Sequence, residues 1–250
     1  MGILSSLLDR LLAASELITL LVCFWLALWL AERRAPRLGL DPTLVSQLGF
    51  GLGLGAIVGG RLAYVLADWR TYARYPFDIL LVQGGLSLWG AMLGGGLALA
   101  WYARRRDVSS GALADGLALP LTVGTAAYAL LCIVRGDCAG AVGGPPLAMT
   151  LPGYSLPRYP VELYVAVLMA ALAALLAYLE PRRRFYGEVA LLFLVGYTVI
   201  RFTTDFLRIH FGAWPTPEQV AAAIVAVGAV VAWLVLGARA RAATTRGHSP

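Results

Sequence analysis

The residues best suited to chemistry lie in one apolar segment near the C-terminus. Tyr197, Arg201, Asp205 and Arg208 occupy positions i, i+4, i+8 and i+11, so a helix would align them in one stripe. The spacing of Arg201 and Asp205 allows a local ion pair. Two arginines against one carboxylate leave a spare positive charge, which suits a phosphate or another anion that arginine binds through two hydrogen bonds. A structural ion-pair network that fixes helix packing is the alternative.

Three further ionisable residues interrupt apolar segments. Arg61 lies late in one segment, Asp115 early in another, and Glu162 at the start of a third. An ionisable side chain inside a bilayer costs about 2.5–3.5 kcal/mol and commonly marks a functional site. Glu162 also has an ordinary explanation, because a carboxylate at a helix start complements the helix dipole.

Apolar segments long enough to cross a bilayer must position these residues. The chain is 60% hydrophobic and 14% charged, against about one quarter charged in soluble domains. We therefore predict a single all-α domain over residues 1–250, a polytopic membrane protein with seven transmembrane helices. A short amphipathic helix on the membrane interface is expected before them, because leucines recur at helical spacing around Asp9 and Arg10. The predicted spans are 14–32, 44–67, 86–103, 111–134, 161–179, 187–208 and 217–238.

Clusters of arginine predict the orientation of the chain. They follow the first, third, fifth and seventh predicted spans, so all four clusters would lie on one side of the membrane. The positive-inside rule then places the C-terminus in the cytoplasm and the N-terminus outside. Because this basic excess flanks apolar segments, it suits anionic lipid and does not indicate nucleic acid. The clusters are Arg33, Arg34 and Arg37; Arg104, Arg105 and Arg106; Arg182, Arg183 and Arg184; and Arg239, Arg241 and Arg246.

Glycines and long loops give further expectations. Gly51, Gly55 and Gly59 recur every fourth residue, which is typical of close helix packing. A nucleotide-binding loop is disfavoured, because no strand precedes these glycines. Two long loops, 68–85 and 135–160, are expected on the outer side. The second is rich in glycine and proline and cannot span a membrane, and long ordered loops often carry function.

The cysteines and histidines do not indicate a metal site. Cys23, Cys132 and Cys138 form neither a CxxC motif nor a zinc-type spacing with His210 or His248. No metal ligand is therefore assigned. A disulfide between Cys132 and Cys138 is geometrically possible, and the sequence leaves it open.

Five segments together resemble prolipoprotein diacylglyceryl transferase, a bacterial membrane enzyme. Trp29–Ala35 is similar to the family's first cytoplasmic turn, and Gly59–Leu66 is similar to its second-helix motif. Gly84–Gly90 resembles its Gly-Gly-x-Ser-x-His-Gly segment. Pro157–Tyr164 resembles its Arg-His-Pro-x-Gln-Leu-Tyr segment. Tyr197–Arg208 matches its Tyr-Gly-x-x-Arg-Phe-x-x-Glu-Phe-x-Arg motif, and the matches follow the family's order and spacing.

The resemblance implies transfer of a diacylglyceryl group from phosphatidylglycerol to the thiol of a lipobox cysteine, in the bacterial cytoplasmic membrane and without a cofactor. Membrane phospholipid and a prolipoprotein peptide would be the partners. It implies three catalytic residues, Arg201, Asp205 and Tyr197. Asp205 and Tyr197 would orient Arg201. The substrate-binding residues that it implies are Arg61, Gly85, Ser87, Asp137, Gly140, Arg158, Glu162 and Arg208.

Three departures from the family pattern raise an alternative. Trp89 stands where the family has a histidine, and an indole cannot accept a proton. Ala129 stands where the family has a lipid-binding arginine, and Cys132 where it has an asparagine. An accessory membrane protein that binds phospholipid without performing the chemistry is therefore the second hypothesis. A small-anion transporter is a third, but the sequence shows no repeated halves.

Overall fold

The computed structural model describes residues 2–79, 85–135, 139–151, 154–209 and 215–246, and every regular element in these ranges is helical. The fold class is therefore all-α, as predicted. Short 3-10 turns cover Ala35–Leu38, Pro76–Ile79 and Glu180–Arg182. The α-helices are α1 (Gly2–Arg34), α2 (Pro42–Ala67), α3 (Trp69–Arg74), α4 (Leu88–Arg105), α5 (Ser110–Arg135), α6 (Val161–Leu179), α7 (Glu188–Asp205) and α8 (Pro217–Arg246).

Each of the seven predicted spans coincides with a helix, but the number that cross a bilayer stays a prediction. Within the described ranges, four helical stretches are long and apolar enough to span it. The helix α7 carries Glu188, Arg201 and Asp205, and these charges lower its apolar character. The four stretches are Pro42–Ala67, Ser110–Arg135, Val161–Arg182 and Pro217–Ala242.

The N-terminal segment differs from the prediction. A separate interfacial helix was expected before the first span, but α1 is one continuous helix of 33 residues. No proline or glycine lies between Gly2 and Arg34, so nothing in the sequence breaks the helix. At about 1.5 Å per residue, α1 is about 50 Å long, which exceeds the hydrocarbon thickness of a bilayer.

Contacts divide the chain into two units. The small unit, residues 31–116, is built around the packing of α2 against α4. Asp41 caps the start of α2 and accepts hydrogen bonds from the backbone N–H and the hydroxyl of Thr43. These bonds lower the pKa of the exposed Asp41 carboxyl.

Glycines let α2 and α4 approach closely. A β-carbon at Gly59 would lie 2.7 Å from the Cα of Gly94, and one at Gly55 would lie 2.8 Å from the Cβ of Ala98. The predicted role of Gly55 and Gly59 in helix packing is therefore confirmed. Gly51 does not share it, because a β-carbon there would meet no atom within 4 Å.

The large unit, residues 1–30 with 117–250, contains α6, α7 and α8 packed in sequence order. Val165, Met169, Leu172 and Leu176 are buried along one side of α6. A β-carbon at Gly196 of α7 would lie 2.6 Å from the Cδ1 of Leu172, so these two helices are in close contact.

The outer face of α8 is apolar. Ile224, Val227, Val231 and Leu234 are each at least half exposed. An exposed apolar helix face of this length is compatible with lipid as the surrounding solvent and incompatible with water. The exposed side chains therefore agree with the membrane character predicted from composition.

Candidate functional site

The predicted stripe lies at the C-terminal end of α7 in the large unit. Tyr197 and Asp205 are buried, and Arg201 is half-buried between them along the helix. The helix ends at Asp205, three residues before the predicted boundary. Arg208 therefore lies in the following turn, where its N–H donates to the Asp205 carbonyl at 3.0 Å.

The local ion pair expected between Arg201 and Asp205 is not formed. Asp205 Oδ2 instead accepts a hydrogen bond of 2.9 Å from the hydroxyl of Thr216. Among the described residues, the Arg201 guanidinium has no hydrogen bond and no ion pair. Its positive charge is therefore not neutralised by a contacting carboxylate in this part of the chain.

Thr216 and Gln219 are site-supporting residues that the sequence reasoning missed. The Gln219 N–H donates to Thr216 Oγ1, and the Thr216 N–H donates to Gln219 Oε1, each at 3.2 Å. This reciprocal pair is a capping box at the start of α8, and its Thr-x-x-Gln spacing is readable from sequence. It holds Thr216 in place for its hydrogen bond to Asp205.

Glu162 forms an ion pair with Arg208, across 46 positions of sequence. Glu162 is buried in the first turn of α6, and Arg208 is half-buried. Glu162, which we expected to complement the helix dipole of α6, therefore also forms an ion pair. Because Glu162 takes up the charge of Arg208, Arg201 is the arginine of the stripe whose guanidinium contacts no carboxylate in the described ranges.

The loop that precedes α6 contributes Gly140 and Arg158. The Arg158 guanidinium donates to the Gly140 carbonyl at 3.0 Å, and the Ala141 N–H donates to the Leu207 carbonyl at 2.9 Å. A β-carbon at Gly140 would clash with that Leu207 carbonyl oxygen and would lie 2.5 Å from Val161 Cγ2. Gly140 therefore permits close docking of the loop against the end of α7.

Two other expectations concern the segment after α5. Asp137 lies outside the described residues, so its predicted substrate contact stays a prediction. Cys132 is disulfide-bonded, although its partner also lies outside the described residues. Cys23 is a free, buried cysteine.

Arg61 lies in the small unit and is buried, with its guanidinium in contact with backbone carbonyls. Its Nε donates to the Ile79 carbonyl at 2.9 Å, its Nη1 to Gly85 at 3.1 Å and its Nη2 to Asp78 at 2.5 Å. The rings of Tyr64 and Tyr72 lie 5.5 and 5.1 Å from its guanidinium carbon. In this arrangement Arg61 holds the ends of a loop together.

Gly85 and Ser87 lie in the same cluster as Arg61. Gly85 has a φ of 115°, a conformation that favours glycine, and a β-carbon there would lie 3.0 Å from the Tyr64 ring. Ser87 is the N-cap of α4, accepting from the Gly90 N–H at 3.3 Å, and its own N–H donates to the Gly60 carbonyl at 3.0 Å. The predicted site residues thus form two groups, one in each unit.

Two of the departures from the family pattern, Trp89 and Ala129, have different surroundings. Trp89 is half-buried in the first turn of α4. Ala129 in α5 has no exposed surface, so an arginine there would require its neighbours to move. Among the described residues, no group of three or more histidine, cysteine or acidic side chains could hold a metal ion.

Comparisons with known proteins add an independent finding. A family model described as prolipoprotein diacylglyceryl transferase matches residues 17–239. A protein of Vibrio vulnificus named phosphatidylglycerol–prolipoprotein diacylglyceryl transferase is 33% identical over 231 residues, covering 84% of this chain and 83% of its own. Proteins of the same name from Aliivibrio salmonicida and Photobacterium profundum are 33% and 34% identical, covering 83% and 80% of this chain and 78% and 80% of their own.

Proposed function

The chain belongs to the prolipoprotein diacylglyceryl transferase family, and from that membership we propose that it transfers a diacylglyceryl group from phosphatidylglycerol to a lipobox cysteine. The names of its relatives give phosphatidylglycerol and a prolipoprotein as the substrates of those proteins. In the proposed reaction a carbon–sulfur bond forms between the cysteine sulfur and the glyceryl carbon of the lipid. The carbon–oxygen bond to the phosphate and the S–H bond of the thiol break, and glycerol phosphate leaves together with the thiol proton.

The observation that carries this proposal is the state of Arg201. Arg201 is half-buried on α7, and its guanidinium makes no hydrogen bond or ion pair with any described residue. Arg208, which lies nearby in the sequence, is paired with Glu162. An arginine without a contacting counter-ion is suited to a lipid phosphate, and it would stabilise the charge that accumulates as the phosphate leaves.

The neighbouring residues have supporting roles in this proposal. Asp205 is held by Thr216 and links the ends of α7 and α8, while Tyr197 lies one helical turn before Arg201. Gly140 and Arg158 dock the preceding loop against α7. Arg61 joins Asp78 and Ile79 to Gly85 in the small unit through its hydrogen bonds to their carbonyls. We therefore propose that Arg201 binds the lipid phosphate and that the other residues of this paragraph position the site or contact the substrate.

The test of the reaction is complementation of a bacterium depleted of its own transferase. We expect the wild-type chain to restore growth and lipid attachment to precursor lipoproteins. We expect Arg201→Ala to lower transfer by about a hundredfold or more, because one electrostatic stabiliser of the leaving group is lost. Binding of phosphatidylglycerol at the Arg201 site should also be lost in the purified variant, while insertion into the membrane stays intact.

The matched control is Arg70→Ala, since Arg70 is exposed and belongs to the other unit. It should transfer like the wild type. If Arg201→Ala transferred at the wild-type level, or bound as much phosphatidylglycerol as the wild type, the assignment of the phosphate to Arg201 would be refuted.

A second candidate function is phospholipid binding without transfer. Two observations favour it: the half-buried indole of Trp89 cannot accept the thiol proton, and the closely packed Ala129 offers no guanidinium to the lipid. Failure of complementation at normal expression, together with Arg201-dependent binding of phosphatidylglycerol, would establish this function and refute the transfer reaction.

A further inference from the structure

A groove of about 320 Å³ lies at the end of α6 and α7 that is remote from Arg201. Since α6 runs from Val161 to Leu179 and α7 from Glu188 to Asp205, the connecting loop lies about 25 Å along the helices from the Glu162–Arg208 pair. The whole groove belongs to the large unit. It is therefore separate from the site assigned to the transferred lipid.

The groove has an apolar floor and a basic rim. Leu179, Val189, Leu192 and Trp233 supply apolar surface, and the run Arg182–Arg184 supplies guanidinium groups. This combination matches an amphiphile, because an acyl chain suits the floor and a phosphate suits the rim. A soluble anion would use the rim alone.

Arg184 and Glu188 organise one wall of the groove. The Arg184 guanidinium contacts the Glu188 carboxylate at 2.8 Å, and the indole N–H of Trp233 donates to the same oxygen at 3.2 Å. The guanidinium carbon of Arg184 also lies 5.1 Å from the Trp233 ring. These contacts fix Trp233 and satisfy the charge of Arg184.

Arg182 and Arg183 keep their charge available. Each stacks on a tyrosine, Arg182 at 4.0 Å from the ring of Tyr178 and Arg183 at 5.2 Å from that of Tyr186. Neither forms an ion pair with any carboxylate that the structure describes. Both tyrosine residues are 60% exposed, and exposed tyrosines beside arginines are typical of the headgroup level of a membrane.

Further arginines near the loop raise the local charge. A β-carbon at Gly237 of α8 would lie 3.6 Å from Phe185, so the end of α8 adjoins the loop. Arg239 and Arg241 follow on α8 and are exposed. With the loop arginines they outnumber the local carboxylates, Glu180 and Glu188, by five to two.

From these observations we propose that this groove binds the headgroup phosphate of an anionic phospholipid, with one acyl chain lying on its apolar floor. Basic pockets of this kind attract anionic lipid at a membrane surface. The site does not depend on the transfer reaction, so an inactive protein would retain it.

The test is native mass spectrometry of the full-length protein with dioleoylphosphatidylglycerol, using dioleoylphosphatidylcholine as the neutral comparison. We expect the double variant Arg182→Gln/Arg183→Gln to bind one phosphatidylglycerol about thirtyfold more weakly, since each arginine near a membrane surface adds to the attraction. The same loss should occur in an Arg201→Ala background, which separates this groove from the site of transfer.

The matched control is Arg70→Gln/Arg74→Gln, which removes the same charge from two exposed arginines of the small unit and should leave binding unchanged. Equal weakening in both double variants, or equal binding of phosphatidylcholine by the wild type, would overturn the proposal. Displacement of the bound lipid by soluble glycerol phosphate at similar concentrations would also overturn it, because the apolar floor would then contribute nothing.

Discussion

Two arginines of the same chain are in opposite environments. Arg61 is buried and donates to three backbone carbonyls, whereas the Arg201 guanidinium has no hydrogen bond within the described ranges. In the sequence both are single arginines in apolar segments. The structure therefore separates a loop-holding arginine from one that is available for an anion.

Arg61→Lys tests the loop-holding role of Arg61. A lysine ammonium keeps the charge but cannot present the planar fork of donors that reaches three carbonyls together. We expect the protein to lose about 2–4 kcal/mol of stability, because buried carbonyl groups would lose their donors. The measurement is the midpoint of thermal unfolding in detergent, with Arg70→Lys as the control; an unchanged midpoint would contradict this role.

At the scale of elements, the α2–α4 contact depends on particular glycines of one helix. A β-carbon at Gly94 would clash with the Gly55 carbonyl oxygen and lie 2.9 Å from the Cα of Gly59, while one at Gly96 would meet nothing within 4 Å. The sequence presents both as members of the same Gly94-Gly95-Gly96 run. They differ in the face of α4 on which they lie, because Gly94 faces α2 and Gly96 does not.

This difference predicts opposite outcomes for two alanine variants. Gly94→Ala should destabilise the protein by about 1–3 kcal/mol, because α2 and α4 must move apart. Gly96→Ala should be neutral or stabilising by up to about 1 kcal/mol, because alanine favours helix over glycine. Unfolding of the two purified variants in mixed detergent micelles would measure both, and equal stability would count against the packing.

The loop before α6 provides a second pair of glycines. Gly140→Ala would introduce a β-carbon against Val161 and the Leu207 carbonyl, whereas the β-carbon of Gly144→Ala would meet nothing within 4 Å. We expect Gly140→Ala to undock the loop from α7 and to lower transfer by about tenfold or more, since misplacement of a positioning element is costly.

Gly144→Ala is the control for Gly140→Ala and should transfer like the wild type. Limited proteolysis of the 139–151 segment would report undocking independently of activity. Loss of activity without a change in proteolysis would show that Gly140 acts other than by docking.

At the scale of the whole molecule, lipid-facing apolar surfaces and arginine clusters predict one topology. Seven spans would place the N-terminus outside and the C-terminus in the cytoplasm of a bacterium. Fusion of alkaline phosphatase should be active after residue 75 and inactive after residues 106, 184 and 246, with fluorescent-protein fusions showing the reverse. An active phosphatase fusion at residue 246 would eliminate the seven-span arrangement.

The sequence alone was sufficient for the helical class, for the position of each long helix and for the small-residue contact of Gly55 and Gly59. These features depend on local patterns, since apolar length and glycine spacing act within one or two turns of chain. The resemblance carried by the motifs was sufficient for the family. The sequence also misplaced two boundaries, because no local pattern separates an interfacial helix from an uninterrupted one or marks the end of α7 at Asp205.

Only the tertiary structure decided the partners of the charged residues. Arg208 pairs with Glu162 across 46 positions, Asp205 accepts from Thr216 and not from Arg201, and Arg61 bonds to carbonyls 17 to 24 positions away. Helical spacing shows which side chains can meet on one helix. Which of them do meet depends on the packing of segments far apart in the chain, since an ion pair or hydrogen bond requires contact within a few ångströms.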